Sequence, residues 1–158
     1  MVESKVEALL RISEVNLTRA QQRFVSGEYD SAVFHGSMAA ESAANAMILK
    51  LGGTEARNHR AISGLAAVIR RVKPELLSEE GYTQLIERGR EIERELVYAR
   101  YPVKMDGRWV TPMEYYTQEK AKSIIDHAKI VVDAARTYIK GTTTQGNQHQ
   151  CLHFGSDL

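Results

Sequence analysis

Apolar positions recur every three or four residues along most of the chain, and that period divides it into helices. Over about 3–24, Val6, Leu9, Leu10, Leu17, Ala20 and Phe24 are separated by polar residues, the pattern of an amphipathic helix that stops at Ser26 and Gly27. After a short connection at Glu28, Tyr29 and Asp30, a second helix is expected over about 31–51, capped by Asp30 or Ser31. Small residues crowd it (Ala32, Gly36, Ser37, Ala39, Ala40, Ser42, Ala43, Ala44 and Ala46), which lets partner helices approach closely and marks it as the central one. Gly52 and Gly53 end it.

A polar loop over 54–59 leads to a third helix carrying Ile62, Leu65, Ala66, Ile69 and Val72, broken by Pro74. The fourth, about 78–100, has Leu85, Gly89, Ile92, Leu96 and Ala99 on one face and ends before Pro102, which pushes the residue ahead of it out of the helical region. An irregular connection follows over 101–112, with Asp106 and Gly107 as a turn signal and Trp109 as the only tryptophan. A last helix over about 113–139 starts at Thr111 and Pro112 and is closed by Gly141. Its stripe is Met113, Tyr116, Lys120, Ile124, Ala128, Val131, Ala135 and Tyr138. No segment alternates with the period of a strand. The prediction is an all-α fold, an antiparallel up-and-down helical bundle of four to five helices with one long connection before the last.

Residues 1–140 are thus expected to form one helical bundle, and 141–158, rich in Thr, Gln, Gly, Asn and His, a polar disordered tail. In that tail His149 and His153 flank Cys151, but three ligands on an unstructured segment have nothing to orient them, so no metal is predicted, and no cofactor either. A single cysteine excludes an internal disulfide and a cysteine metal cluster, and fits a reducing, cytoplasmic setting. The start, Met1, Val2, Glu3, Ser4, becomes amphipathic at once and lacks signal-peptide character. No apolar run reaches the ~18 residues of a membrane span. With 21 Lys plus Arg against 20 Asp plus Glu, nothing points to bulk nucleic-acid binding, and any anion site must be local.

The local candidates gather at the end of the fourth helix. Arg90, Arg94 and Arg100 there form either a solvated rim, the first reading for such a charge run, or an anion site. Glu41, among the alanines of the second helix, is expected to be half-buried and paired with an arginine of the fourth, as a structural ion pair before a site residue. His59, between Asn58 and Arg60 at a helix start, reads as a cap first and as an anion ligand second. His35 and His127, alone inside helices, read as satisfied core or surface residues. Tyr101 and Trp109 are expected to plug the end of the bundle, or else to stack on a base. No glycine-rich phosphate loop is present.

Three stretches resemble the HEPN family of small helical modules: Gly27 to Ala32 with Ala39 to Ala46; Leu51, Gly52, Gly53 and then His59; and Ala99, Arg100, Tyr101, Pro102. The resemblance covers about Val6 to Ile139. It implies a helical bundle that pairs as a homodimer and binds a nucleotide or RNA, often beside a separately encoded minimal nucleotidyltransferase. Nuclease members, among them ribonuclease toxins of toxin-antitoxin pairs, carry an Arg followed after four to six residues by a His, often with a Tyr two residues on. Matched here, the Arg falls on Arg94 and the Tyr on Tyr101, while the His position is Ala99.

Metal-independent RNA cleavage needs a proton carrier near neutral pH and a stabiliser of phosphate charge, and arginines supply only the second. The leading expectation is therefore an accessory module that binds nucleotide or RNA phosphate and does not cut. No catalytic residue is assigned: Arg94 and Arg100 are to contact phosphate, Tyr101 to stack or hold Arg94, Glu41 to orient an arginine, and His59 to serve at the same site. One alternative is a ribonuclease toxin in which His59 or His35 replaces the missing histidine. The other is a protein-interaction bundle, which would be favoured if Arg90, Arg94 and Arg100 were all salt-bridged along their own helix to Glu87, Glu91, Glu93 or Glu95.

Overall fold

The structure, a computed structural model of the chain, describes residues 3–141. Helices dominate them: α1 (Lys5–Val25), α2 (Tyr29–Lys50), α3 (Ala61–Val72), α4 (Glu80–Arg100), a single turn α5 (Pro112–Tyr115) and α6 (Gln118–Lys140), with a 3-10 turn at Pro74–Ser78. The bundle is all-α, as the apolar period predicts, and α2 lies at its centre, packed against α1, α3, α4 and α6. Its small residues explain the placement: at Gly36 a Cβ would sit 3.7 Å from Ala128 Cβ and 3.8 Å from Ile124 Cγ2, so α6 comes to van der Waals contact there. The buried side of α4 is Leu85, Ile86, Gly89, Ile92 and Ala99, close to the expected stripe.

The ends of the helices are held by chemistry only partly visible in composition. Ser4 and Glu7 form a reciprocal capping box on α1. Neither Asp30 nor Ser31 caps α2: its N-cap position is Glu28, which makes no capping hydrogen bond and is drawn instead to Arg23 at 2.7 Å. Residues 30 and 31 already lie inside the helix. The expected last helix is two: Thr111 and Glu114 box the α5 turn, the chain extends at Tyr116, and Thr117 caps α6 afresh. Met113 consequently points to solvent rather than joining the α6 stripe.

The connection between α4 and α5 is not irregular. It is a hairpin of β1 (Val103–Met105) and β2 (Arg108–Val110), paired antiparallel with Lys104 opposite Trp109. Asp106 and Gly107 both have positive φ, 48° and 81°, as a two-residue hairpin turn of this hand requires. Strands of three residues are too short to show an alternating pattern, so only the turn was legible. No helix among the described residues is long and apolar enough to cross a membrane. The expected polar tail, with His149, Cys151 and His153, lies outside the described residues.

Candidate functional site

The site forms where the loop after α2 passes the last turns of α4. Asn45, buried on α2, fixes this loop by accepting from the Ala56 backbone N–H at 2.9 Å and donating to its carbonyl at 3.5 Å. Two residues on, Asn58 Oδ1 accepts from the Arg60 N–H at 3.3 Å, and His59 between them takes a left-handed φ of 59°. Such a conformation costs a non-glycine residue roughly 1–2 kcal/mol, although histidine tolerates it better than most. Its effect is to turn the imidazole away from α3 and toward α2 and α4.

There His59 bridges the two helices. Its Nδ1 lies 3.0 Å from Glu41 Oε2, and its Nε2 lies 3.2 Å from Arg100 Nη1. Carboxylates only accept and guanidiniums only donate, so one tautomer satisfies both contacts: Nδ1 carries the proton to Glu41, and Nε2 is the unprotonated nitrogen facing Arg100. Glu41 is half-buried, its side chain 20% exposed. Its expected arginine partner is reached only through the imidazole.

Arg100 is held by soft partners. Its Nη2 meets Met38 Sδ at 3.7 Å, its guanidinium carbon lies 5.4 Å from the centre of the Phe34 ring, and its Nε is buried without a hydrogen-bond acceptor among the described residues. No described carboxylate forms an ion pair with it. Thus Glu41, His59 and Arg100 converge as a carboxylate, a base and an incompletely satisfied cation.

Beside this group a cleft of about 480 Å³ is lined by His59, Arg60, Ser63, Arg90, Glu93 and Arg94. Glu93 is its only acidic residue, and that carboxylate is engaged elsewhere: it reaches from α4 to the start of α3, accepting from the Ile62 N–H at 2.8 Å, the Ser63 N–H at 3.2 Å and Ser63 Oγ at 2.7 Å. Hence His59 does not cap α3. A carboxylate supplied from another helix does, which proximity in sequence could not reveal. Arg60, Arg90, Arg94 and Arg100 form no ion pair among the described residues, where Arg88 instead takes Glu91 at 3.1 Å. The full i to i+4 pairing that would favour an interaction bundle is not formed at these arginines among the described residues.

Other candidates lie elsewhere. Tyr101 is 61% exposed and Trp109 67% exposed, and neither plugs the bundle. That end is closed by Tyr98 and Tyr115, stacked at 4.6 Å, and by buried Tyr116, whose hydroxyl donates to the Glu95 carbonyl at 3.1 Å. Burial and the nearby Glu95 push the Tyr116 hydroxyl well above the ordinary phenol range. His127 stands beside a smaller cleft with Glu91, Arg94, Glu95 and Lys120, its pKa held down by burial against the opposing pull of Glu91 at 3.3 Å. His35 faces α1, its Nδ1 3.0 Å from Asn16 Oδ1, and makes no hydrogen bond to Arg94 or Arg100. Among the described residues no three His, Cys, Asp or Glu side chains gather as metal ligands.

Fold and cleft together describe a small helical bundle with arginines gathered at the end of its fourth helix. The HEPN domain model matches residues 6–138, and the chain belongs to the HEPN family. Solved structures share the fold. TT1696 from Thermus thermophilus superposes with a TM-score of 0.66 at 22% identity, covering 85% of this chain and 98% of the other. ST0689, an archaeal HEPN homologue, gives 0.63 at 22% identity, covering 87% and 99%. No curated protein sequence matches the chain.

Proposed function

We propose that the cleft beside Arg94, completed by Arg100 and His59, binds the phosphate of a nucleotide or of RNA, and that the protein acts as an accessory binding module. The observation that carries this reading is Arg100: a half-buried guanidinium with an orphaned Nε, facing only an imidazole nitrogen, a thioether and an aromatic ring. A buried donor without an acceptor is costly in the free protein, and a phosphate oxygen would relieve it. Arg60, Arg90 and Arg94 add unpaired charge alongside. Tyr101, exposed at the same helix end, is available to stack on a base. Pairing into a homodimer and work with a minimal nucleotidyltransferase, which the family resemblance implies, belong to the same reading.

The Glu41–His59 pair favours a second reading, metal-independent RNA cleavage. Glu41 fixes the tautomer that leaves His59 Nε2 as the basic nitrogen, the arrangement of a general base, and an arginine is already in contact with it. A phosphate that draws Arg100 aside would expose that nitrogen. One experiment separates the readings: thermal shift with ATP, GTP and a short RNA, for wild type, Arg94→Ala and Arg100→Ala, with the RNA recovered intact or cut. Stabilisation that disappears in either variant while RNA stays whole supports the binding module, because only a ligand preferring the native state raises Tm. Cleavage that is lost in an added His59→Ala variant supports the nuclease, and no shift with any ligand, with the RNA left whole, refutes both.

A further inference from the structure

A second cationic cleft, of about 510 Å³, lies between α1 and the start of α2, lined by Arg19, Gln22, Arg23, Ser26 and His35. Arg19 and Arg23 supply its positive charge, Gln22 and Ser26 are polar, the His35 Nδ1–H is given to Asn16 Oδ1, and there is no acid among them. Arg19 forms no ion pair among the described residues, whereas Arg23 meets Glu28 at 2.7 Å on the exposed rim. His35 reports the local field: its pKa lies below the ordinary imidazole range, first through burial and then through the positive charges of Arg19 and Arg23.

The two clefts are joined by an unbroken run of side chains. His59 at the first touches Arg100 at 3.2 Å, Arg100 lies 5.4 Å from the Phe34 ring centre, and that ring meets the His35 ring edge-on at 5.7 Å in the second. Phe34 is 37% exposed between the two cationic hollows, with the Arg100 guanidinium over its ring.

We propose that the cleft at Arg19, Arg23 and His35 is a second phosphate subsite, and that one single-stranded nucleic acid spans both clefts with a base stacked on Phe34. The inference rests on the phosphate reading of the first cleft and extends it. A mononucleotide cannot fill two clefts at once. A flexible phosphodiester chain can, because it alternates charge with flat aromatic surface, as the run of arginines and Phe34 does. An acidic peptide would satisfy the cations and leave the ring unused.

The test compares ADP, read by thermal shift, with a labelled single-stranded RNA of about ten nucleotides, read by fluorescence anisotropy across a salt series. Two variants are compared with wild type, Arg19→Ala/Arg23→Ala and Phe34→Ala. Two lost phosphate contacts should lower the slope of log K against log salt by about 1.4 for a single strand and weaken RNA binding about tenfold or more, leaving ADP stabilisation unchanged. Phe34→Ala should weaken RNA by about fivefold to a hundredfold without changing the salt slope, and Phe34→Trp should restore it. An unchanged RNA slope in Arg19→Ala/Arg23→Ala overturns the second subsite, as does a poly-aspartate peptide of equal length that competes as well as RNA. Should ADP binding depend on Arg94 while those variants behave as wild type, only this inference fails. Should the wild type bind neither probe, the phosphate reading falls with it.

Discussion

Glu93 is the residue at which fold and cleft pull in opposite directions, and Glu93→Ala separates them. Its carboxylate accepts three hydrogen bonds at the start of α3, two of them from the backbone, where the N-cap residue Arg60 offers no side-chain acceptor of its own. Loss of a helix cap costs about 0.5–2 kcal/mol, and the Ile62 N–H, on a residue only 2% exposed, has poor access to water as a replacement. The Ser63 N–H is exposed and recovers water, so the total is about 2 kcal/mol. For a domain of this size Tm should fall by about 4–8 °C. Glu93→Gln keeps an acceptor oxygen and should lose about half as much. Yet Glu93 is also the one acid lining the first cleft, and its removal leaves three arginines unopposed. Inorganic polyphosphate at low salt should therefore bind Glu93→Ala about fivefold more tightly, equivalent to about 1 kcal/mol of relieved repulsion. Differential scanning fluorimetry with and without polyphosphate reads both effects. A Tm within about 1 °C of wild type would show that the carboxylate does not hold α3. Stability and anion binding falling together would refute the assignment of opposed roles.

Two further perturbations test the packing and the titration of the bundle. At Gly89 a Cβ would lie 2.5 Å from Ile62 Cδ1 and 2.8 Å from its Cγ2, so Gly89→Ala should destabilise by about 1–2 kcal/mol despite alanine's better helix propensity. Adding Ile62→Ala should then be less harmful than it is alone, a coupling of more than about 0.5 kcal/mol in urea unfolding; strict additivity would show that α3 and α4 give way to the added methyl. His35 and His127 are both held below the ordinary imidazole value of 6.5 by burial. Unfolding then takes up protons as pH falls below that value, so stability present above it should decline between about pH 6.5 and 5. Glu7 and Glu114, lowered by their capping serine and threonine, act only below the carboxylate value of 4.5. Melting curves from about pH 7.5 to 5 check this, and a Tm that stays level across that window would refute it.

The helices and their order could be read directly from the chain, because each long helix must bury one face and so repeats its apolar residues with the helical period. The central place of the small-residue helix was legible too, since close packing demands small side chains wherever it occurs. Arg94, Arg100, Glu41 and His59 could be singled out as unusual. How they meet is a matter of tertiary packing: the imidazole between Glu41 and Arg100 depends on Asn45 holding a loop eleven residues away and on the left-handed turn at His59. The cap of α3 by Glu93 spans thirty residues or more of chain, and the link from Arg100 through Phe34 to His35 joins elements far apart in order. Local pattern encodes which face of a helix is buried, because burial is set by neighbours three and four residues away. Which polar groups converge above that face depends on how rigid helices pack, and no single segment carries that information.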